Sequence, residues 1–340
     1  MSETLLSLCI PTYQRAALLK ECLDAVLQQW TQDLTPPQRS QIEIIVSDNA
    51  SADDTAQAVE RVRAAYPASP LTYTRQTSNI GADANVYSVM HQAAGTYLYV
   101  LADDDILLPG ALLKLLSLIE QNPAAGAFCL NICAFTKNVS ALGLPVFTLS
   151  KDLVIADPND ALEFLSTWIT FLSIIAFRRD VLTTKDHSPW IGSNLGHACV
   201  FLDALLNCGP LWVTKEPLLA VRTDNTGGYS FFRVFVTQFS ALLQYAEQAG
   251  YTASAVRRVR IRHLTGFVLP GVMTSRLRGD AGRAAHSRRE GVYSLLSVYG
   301  PHPFVLGVVL PVMLMPAWIL RVLAPLGRYL KGTRSPRRRD

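Results

Sequence analysis

The chain has 340 residues, enough for one substantial core with an appendage or for two modest domains. Apolar residues make up 49% and charged residues 17%, which excludes a disordered chain and is more apolar than an ordinary soluble enzyme. The formal net charge of +4 hides an asymmetry: residues 257–340 hold 16 Lys/Arg against 3 Asp/Glu, a net of +13, leaving 15 against 24, a net of −9, for residues 1–256. An acidic body with a basic, apolar tail points to a partner for the tail. Because its basic residues alternate with long aliphatic stretches, an anionic membrane surface fits and nucleic acid does not.

The six cysteines sit mostly inside apolar runs without paired metal spacing, so buried free thiols in a reducing compartment are expected. Glu3 and the absence of a basic opening segment make Leu5–Ile10 a first strand rather than a signal peptide. The expected location is the cytoplasmic face of the membrane.

Over the first ~135 residues, short β-rich runs alternate with helical patterns, which predicts an α/β fold with a doubly wound, mostly parallel sheet. The strands are expected at Leu5–Ile10, Ile42–Ser47, Leu71–Arg75, Tyr97–Ala102 and Ala125–Phe135. Helices are expected at Ala17–Gln28, Asp53–Ala65, Ala82–Ala94 and Pro109–Glu120, with Pro109 in a first turn. Further on, Trp168–Phe177 reads as a buried strand, His197–Asn207 as a helix and Leu218–Arg222 as a short strand. Helical patterns dominate after Ser230: Phe232–Glu247 is amphipathic, and Val256–His263 carries four arginines. The domains expected are 1–228 and a helical region 229–340.

Phe304–Leu320 contains no charge and is followed by Arg321, Arg328, Lys331, Arg334 and Arg337–Arg339. It is short for a bilayer span, which needs ~20 apolar residues, and Pro311 and Pro316 would kink it. It reads as an interfacial or re-entrant anchor, with a core or dimer-interface helix as the alternative.

Ligands of such sheets sit beyond the carboxyl ends of the strands, and three suggestive groups fall there: Pro11-Thr12-Tyr13, Asp48-Asn49 and Asp103-Asp104-Asp105. Three adjacent aspartates are costly unless something positive neutralises them. A hard divalent cation does so and also grips phosphate oxygens. A solvated acidic turn at a helix N-terminus is the other reading of these residues alone.

The context is more specific. Leu8-Cys9-Ile10-Pro11-Thr12-Tyr13-Gln14-Arg15 resembles the opening of family-2 glycosyltransferases, inverting enzymes of the GT-A fold. Ile44–Thr55, Asn79-Ile80-Gly81 with Asn85, and Val100–Pro109 are similar to the family's later segments, in the same order. The resemblance covers residues 5–120 well and 195–225 loosely, and within the family the abequosyltransferase-like enzymes of O-antigen assembly are nearest.

The resemblance implies a nucleotide-diphospho-sugar donor, a lipid-linked glycan acceptor and Mg2+ or Mn2+. It implies that Pro11, Thr12, Tyr13 and Arg15 shape the nucleotide pocket, with Tyr13 near the base, and that Asp48 accepts a hydrogen bond from the base. Asp53 reads as the N-cap of its helix. Asn79 and Gly81 would form the loop facing the nucleotide. Ala102 stands where the family has an aspartate, so Asp103 and Asp105 are the expected metal pair, with Asp104 also facing the donor. His197 and Asp203 are the candidates for the general base, and Arg222 for a cation on the diphosphate. Two other classes stay open. A nucleotidyltransferase would want a Gly-rich basic loop after the first strand, where Pro-Thr-Tyr-Gln-Arg stands; a non-catalytic binding module would not need the aspartates.

Overall fold

The computed structural model describes residues 4–136, 139–223, 228–278, 288–316 and 318–322. The chain divides into two units, Met1–Asn225 with Leu242–Val259, and Thr226–Ala241 with Arg260–Asp340.

The elements of the first part are β1 (Leu6–Thr12), α1 (Ala16–Gln32), a short α2 (Pro36–Arg39), β2 (Ile42–Asp48), α3 (Thr55–Ala65), β3 (Leu71–Arg75) and α4 (Ala82–Gln92). Then come β4 (Tyr97–Val100), β5 (Ile106–Leu107), α5 (Ala111–Gln121), β6 (Ala127–Phe135), β7 (Leu153–Ile155) and α6 (Pro158–Leu165). After these follow β8 (Ile175–Arg178), α7 (Val181–Thr184), α8 (Gly196–Asn207) and β9 (Leu211–Arg222).

Among the described residues the strands form one sheet in the order β3-β2-β1-β4-β8-β6-β9-β5, with β7 on β9. The half built from β3, β2, β1 and β4 is parallel, as expected from the alternating pattern. The rest is mixed, since β8 runs antiparallel between β4 and β6. Its register joins Tyr97–Tyr99 to Phe177–Ala176 and Arg178, a pairing across about eighty residues that local periodicity does not report.

The core follows from the patterns. In α1, Leu19, Cys22, Leu23, Val26, Leu27 and Trp30 recur at helical spacing and are all buried. On β1, Leu6, Leu8 and Ile10 share a face and are fully buried, each stabilising the fold by roughly 1.5–3 kcal/mol. Five of the six cysteines are buried, Cys208 is half-buried, and all six are free.

Several expectations are corrected. The stretch expected as a strand at Trp168–Phe177 is two 3-10 turns, Ser166–Thr170 and Leu172–Ile174, with only Ile175–Arg178 extended. Its β-branched and aromatic residues satisfy strand propensity, but Ser173 and the Thr170 carbonyl bond to partners elsewhere, and those bonds hold the turns. The strand expected at Leu218–Arg222 begins seven residues earlier, at Leu211. Pro109 lies before its helix, because Gly110 takes a left-handed conformation (φ +76°) and α5 starts at Ala111.

In the second unit, α9 (Phe239–Ala249) and α10 (Ala253–His263) supply only their 239–241 and 260–263 ends, joined by α11 (Leu269–Arg278), α12 (Arg288–Tyr299) and α13 (Leu310–Leu314). π-helical stretches at Arg233–Gln238, Leu264–Val268 and Val305–Val309 lead into α9, α11 and α13. The unit has its own core, including Phe232, Val236, Leu264, Val268, Leu295 and Val305. Among the described residues no helix is long and apolar enough to cross a membrane. The apolar segment from Phe304 breaks at Met315-Pro316, and Val305, Val309, Leu310 and Met313 face the unit's core. The basic residues from Arg328 onward lie outside the described residues.

His263 is fully buried, stacked on Phe239 (3.8 Å between ring centres) and near Phe267 (5.4 Å), and its Nε2 donates to the Phe235 carbonyl at 2.5 Å. Burial lowers its pKa to about 4. The unfolded chain therefore takes up a proton near pH 6.5 that the fold refuses until about 4, so stability falls as pH drops through that window. The full effect is roughly 3 kcal/mol. Chemical unfolding at pH 7.5 and 5 is expected to show a smaller pH-dependent loss for His263→Phe than for the wild type.

Candidate active site

The parallel register sets three strand ends side by side. Thr12 pairs with Asp48, Asp48 with Arg75, and β4 runs alongside β1 so that the chain leaves Val100 directly into the aspartate run. All three aspartates are buried, at 3%, 8% and 6% exposure for Asp103, Asp104 and Asp105.

Their side chains meet different partners. Asp103 accepts from the Thr12 hydroxyl at 2.6 Å and from the Arg15 guanidinium at 2.9 Å. The same Arg15 nitrogen lies 3.8 Å from Asp104. Asp105 is turned inward, accepting from the Ser173 hydroxyl at 2.7 Å and from the Arg222 backbone N–H at 3.1 Å. Ser173 also accepts from the Ala102 N–H, so one hydroxyl fixes both ends of the turn.

The electrostatics follow. Burial raises the pKa of Asp103, and Arg15 and Thr12 oppose this only in part. Burial, then the charge of Asp104, raises Asp105 to about 7. Burial works against the charge of Arg15, but the aspartates outweigh it and its pKa rises. Three carboxylates facing one paired guanidinium form a hard-oxygen donor set with surplus negative charge, a set that suits Mg2+ or Mn2+.

The nucleotide-side expectations fall in one neighbourhood. Asp48 is fully buried, accepting from Ser51 N–H at 2.9 Å and the Tyr73 hydroxyl at 2.6 Å, with Arg75 at 3.6 Å. Pro11 is the penultimate residue of β1, and Tyr13, just beyond the strand's end at Thr12, is 40% exposed. Gln14 and Ala50 hold left-handed backbone (φ +52° and +61°), a strained choice for non-glycine residues at strand ends facing each other. Asn79 accepts from Asn49 and from Gly81 N–H, while Asn49 accepts from Ile80 N–H. Asn49, singled out with Asp48 at the strand end but given no role from the sequence, is thus a partner in shaping the 79–81 loop. Asp53 binds the Thr55 N–H and hydroxyl and the Ala16 N–H, capping α3 from one residue before its N-cap, Asp54, and tying it to α1.

Arg222 ends β9 against the aspartate turn. Its guanidinium donates to the Asp104 carbonyl and to Glu21, and lies over the Phe135 ring at 4.5 Å. Glu21 and Ser173 are contacts that no sequence signal reported.

His197, in the first turn of α8, is buried and its Nε2 donates to the Thr170 carbonyl at 3.0 Å. Burial lowers its pKa, so the ring is neutral at pH 7. Thr170 and Ser173 belong to the same pair of turns, which therefore links His197 to Asp105. The loop before α8 is held by Asp83 of α4, which accepts from Gly192 and Asn194 N–H.

Asp203, further along α8, is committed elsewhere: to His187 at 2.8 Å, Lys185 at 3.2 Å and the Tyr245 hydroxyl. Burial would raise its pKa, but these partners outweigh it and lower it. With His187 and Cys199 it forms a group of donor atoms within 4.8 Å of one another. There the Lys185 ammonium already supplies positive charge, and burial raises the Cys199 thiol to about 12.

Ser173→Ala strips a buried carboxylate of its hydroxyl donor and is expected to destabilise the chain by about 2 kcal/mol at pH 7, read by urea unfolding.

Residues 7–182 match the family described as Glycosyl transferase family 2. The abequosyltransferase RfbV of Salmonella typhimurium is 34% identical over 117 residues, which are 34% of this chain and 33% of that protein. A GalNAc(5)-diNAcBac-PP-undecaprenol beta-1,3-glucosyltransferase of Campylobacter jejuni is 33% identical over 124 residues, 35% of this chain and 36% of that protein. The matches thus span about a third of these relatives' length. The S. aureus TarS fragment 1–349 in complex with UDP-GlcNAc superposes with a TM-score of 0.63 at 14% identity, covering 96% of this chain and 92% of that one. The mannosyltransferase PcManGT from Pyrobaculum calidifontis, in complex with GDP-Man and Mn2+, gives 0.53 at 17% identity, covering 95% and 88%. The structural likenesses establish the fold, which is GT-A-like, with a mixed sheet flanked by helices. With half of its length matched in sequence and the motifs at the strand ends, the chain belongs to glycosyl transferase family 2.

Proposed function

We propose that this chain transfers one sugar, with inversion, from a nucleotide-diphospho-sugar to a lipid-linked glycan at the cytoplasmic face of a membrane. The observation that carries the reading is the convergence of Thr12, Arg15, Ser173 and Arg222 on three buried aspartates at the carboxyl ends of β1 and β4. The acceptor class is supported by the Campylobacter relative, whose name specifies an undecaprenol diphosphate-linked glycan.

A divalent cation, Mg2+ or Mn2+, would offset the charge of the donor's diphosphate at this turn. We assign Asp103 and Asp104 to hold it, in place of the pair Asp103 and Asp105. Asp103 and Asp104 face one arginine from the start of α1, whereas Asp105 is turned inward onto Ser173 and the Arg222 backbone N–H. Asp105 then stiffens the turn and adds to its field. Asp48 and the Asn79–Gly81 loop would face the base, with Tyr13 along it. Arg222 positions the aspartate turn through its backbone N–H and the Asp104 carbonyl, and its guanidinium already pairs with Glu21.

For the general base the geometry favours His197 over Asp203. The Thr170 carbonyl accepts, so Nε2 carries the ring proton and Nδ1 has the lone pair. Nδ1 would take the proton of the acceptor hydroxyl as its oxygen bonds to the anomeric carbon and the nucleoside diphosphate leaves with the bonding electrons. Asp203, held by a lysine, a histidine and a tyrosine, instead secures α8.

Transfer is assayed with a panel of UDP-, GDP-, CDP- and dTDP-sugars, Mn2+ and polyprenyl-diphosphate glycans. Asp104→Asn is expected to lower kcat/KM by at least ~10³ and His197→Ala kcat by ~10²–10⁴, both with an unchanged fold. Undiminished turnover in His197→Ala removes it from the mechanism, and undiminished turnover in Asp104→Asn overturns the donor site.

A further inference from the structure

Among its described residues the second unit has an apolar surface that its core does not use. Helix α12 carries apolar side chains on both sides. Leu295 is fully buried in the core, and Val298 and Tyr299 pack partly against it. On the other side Arg289, Tyr293, Leu296 and Ser297 recur at i, i+4, i+7 and i+8, one face of a helix. With Val292 and Leu314 they line an open groove of about 580 Å³. Tyr293 is 76% exposed and Leu314 56%. Beyond Pro316 the exposed side chains include Trp318 and Val322, on either side of Arg321.

The charge says what covers this surface. The described residues of the unit hold eight arginines and one acid, Glu290. Glu290 sits on α12 and binds the Ser230 hydroxyl, and the groove itself includes Arg289 and no acid. A second copy would set arginine against arginine. A nucleic acid would meet an apolar groove where a phosphate-tracking surface needs polar donors. An anionic bilayer answers both features, since it takes Tyr, Trp and Leu at the headgroup level and pairs arginine with lipid phosphate. The last eighteen residues, 323–340, add six Lys/Arg against one Asp directly after this surface.

We infer that the outward face of α12 together with Leu314 docks on an anionic membrane, with Tyr293, Leu296 and Leu314 entering the headgroup–acyl boundary and Arg289 meeting a lipid phosphate. This centres the contact on α12 and leaves Leu314 as the contribution of the apolar segment at 304–320, whose Val305, Val309, Leu310 and Met313 face the unit's own core. The inference deepens the proposed membrane-bound acceptor and rests on that reading for its purpose, but it is measured without sugar transfer.

The full chain is sedimented with vesicles of phosphatidylcholine alone or mixed with phosphatidylglycerol. Binding is expected only to the mixed vesicles. Tyr293→Ser with Leu296→Ser should weaken it by ~10-fold or more, and Arg289→Gln by about fivefold. Ser297→Leu, which adds an apolar side chain to the groove, should tighten it several-fold. Melting temperatures and transfer to a water-soluble acceptor glycan, followed in parallel, should stay near wild type. No binding by the wild type, or unchanged binding in the Tyr293/Leu296 variant, overturns the inference. So does a shift in sedimentation coefficient without vesicles, which would assign the face to a second copy. Absence of transfer with every nucleotide sugar, while vesicle binding follows the variants as stated, sinks the proposed function and leaves this surface standing.

Discussion

Repulsion among Asp103, Asp104 and Asp105 is the constraint around which the catalytic part of the chain is arranged. Two unit charges 4 Å apart cost about 4 kcal/mol at the effective dielectric of a protein site, so three in one buried turn need fixed partners. The fold supplies them from separate places. Thr12 and Arg15 come from the end of β1 and the start of α1, Ser173 from a turn before β8, and the Arg222 N–H from the end of β9. Even so Asp105 stays raised to about 7, first by its burial and then by the charge of Asp104. A site built this way has an electrostatic reason to accept a cation and the diphosphate that comes with it.

The same arrangement ties the aspartate turn to His197. The turns at Ser166–Ile174 touch Asp105 through Ser173 and His197 through the Thr170 carbonyl. A shift at the proposed metal site would thus be felt at the proposed base. On the proposed nucleotide side, the Asn49–Asn79 side-chain bond and the N–H bonds of Ile80 to Asn49 and of Gly192 and Asn194 to Asp83 hold the loops before α4 and α8. Rigid strand ends with loops pinned in this manner suit a reaction that depends on positioning more than on reactive groups.

Much of this was legible in the sequence, for local reasons. Strand β3 at Leu71–Arg75 and the α1 stripe follow from side-chain periods of 2 and 3.6, and the strand-end motifs point to one sheet edge. What escaped was long-range. Nothing near Ser173 announces that it clamps Asp105, because its partner is 68 residues away. Trp168–Phe177 has strand composition, yet tertiary hydrogen bonds fold most of it into turns. Asp203 resembled a base by its place on α8, but Lys185 and Tyr245 reach it from elsewhere in the chain. The charge-free run after Phe304 suggested an anchor, and much of it packs inward in place of facing lipid.

The central claim is that the aspartate turn holds a divalent cation together with a nucleoside diphosphate. Electron paramagnetic resonance of Mn2+ tests it directly, since bound Mn2+ loses the sharp six-line spectrum of the free ion. With a nucleoside diphosphate matched to the donor, the wild-type chain should deplete the free signal, and Asp103→Asn with Asp104→Asn should restore it. Equal depletion by that variant, or depletion abolished instead by Cys199→Ala in the His187–Asp203 group, would contradict the account.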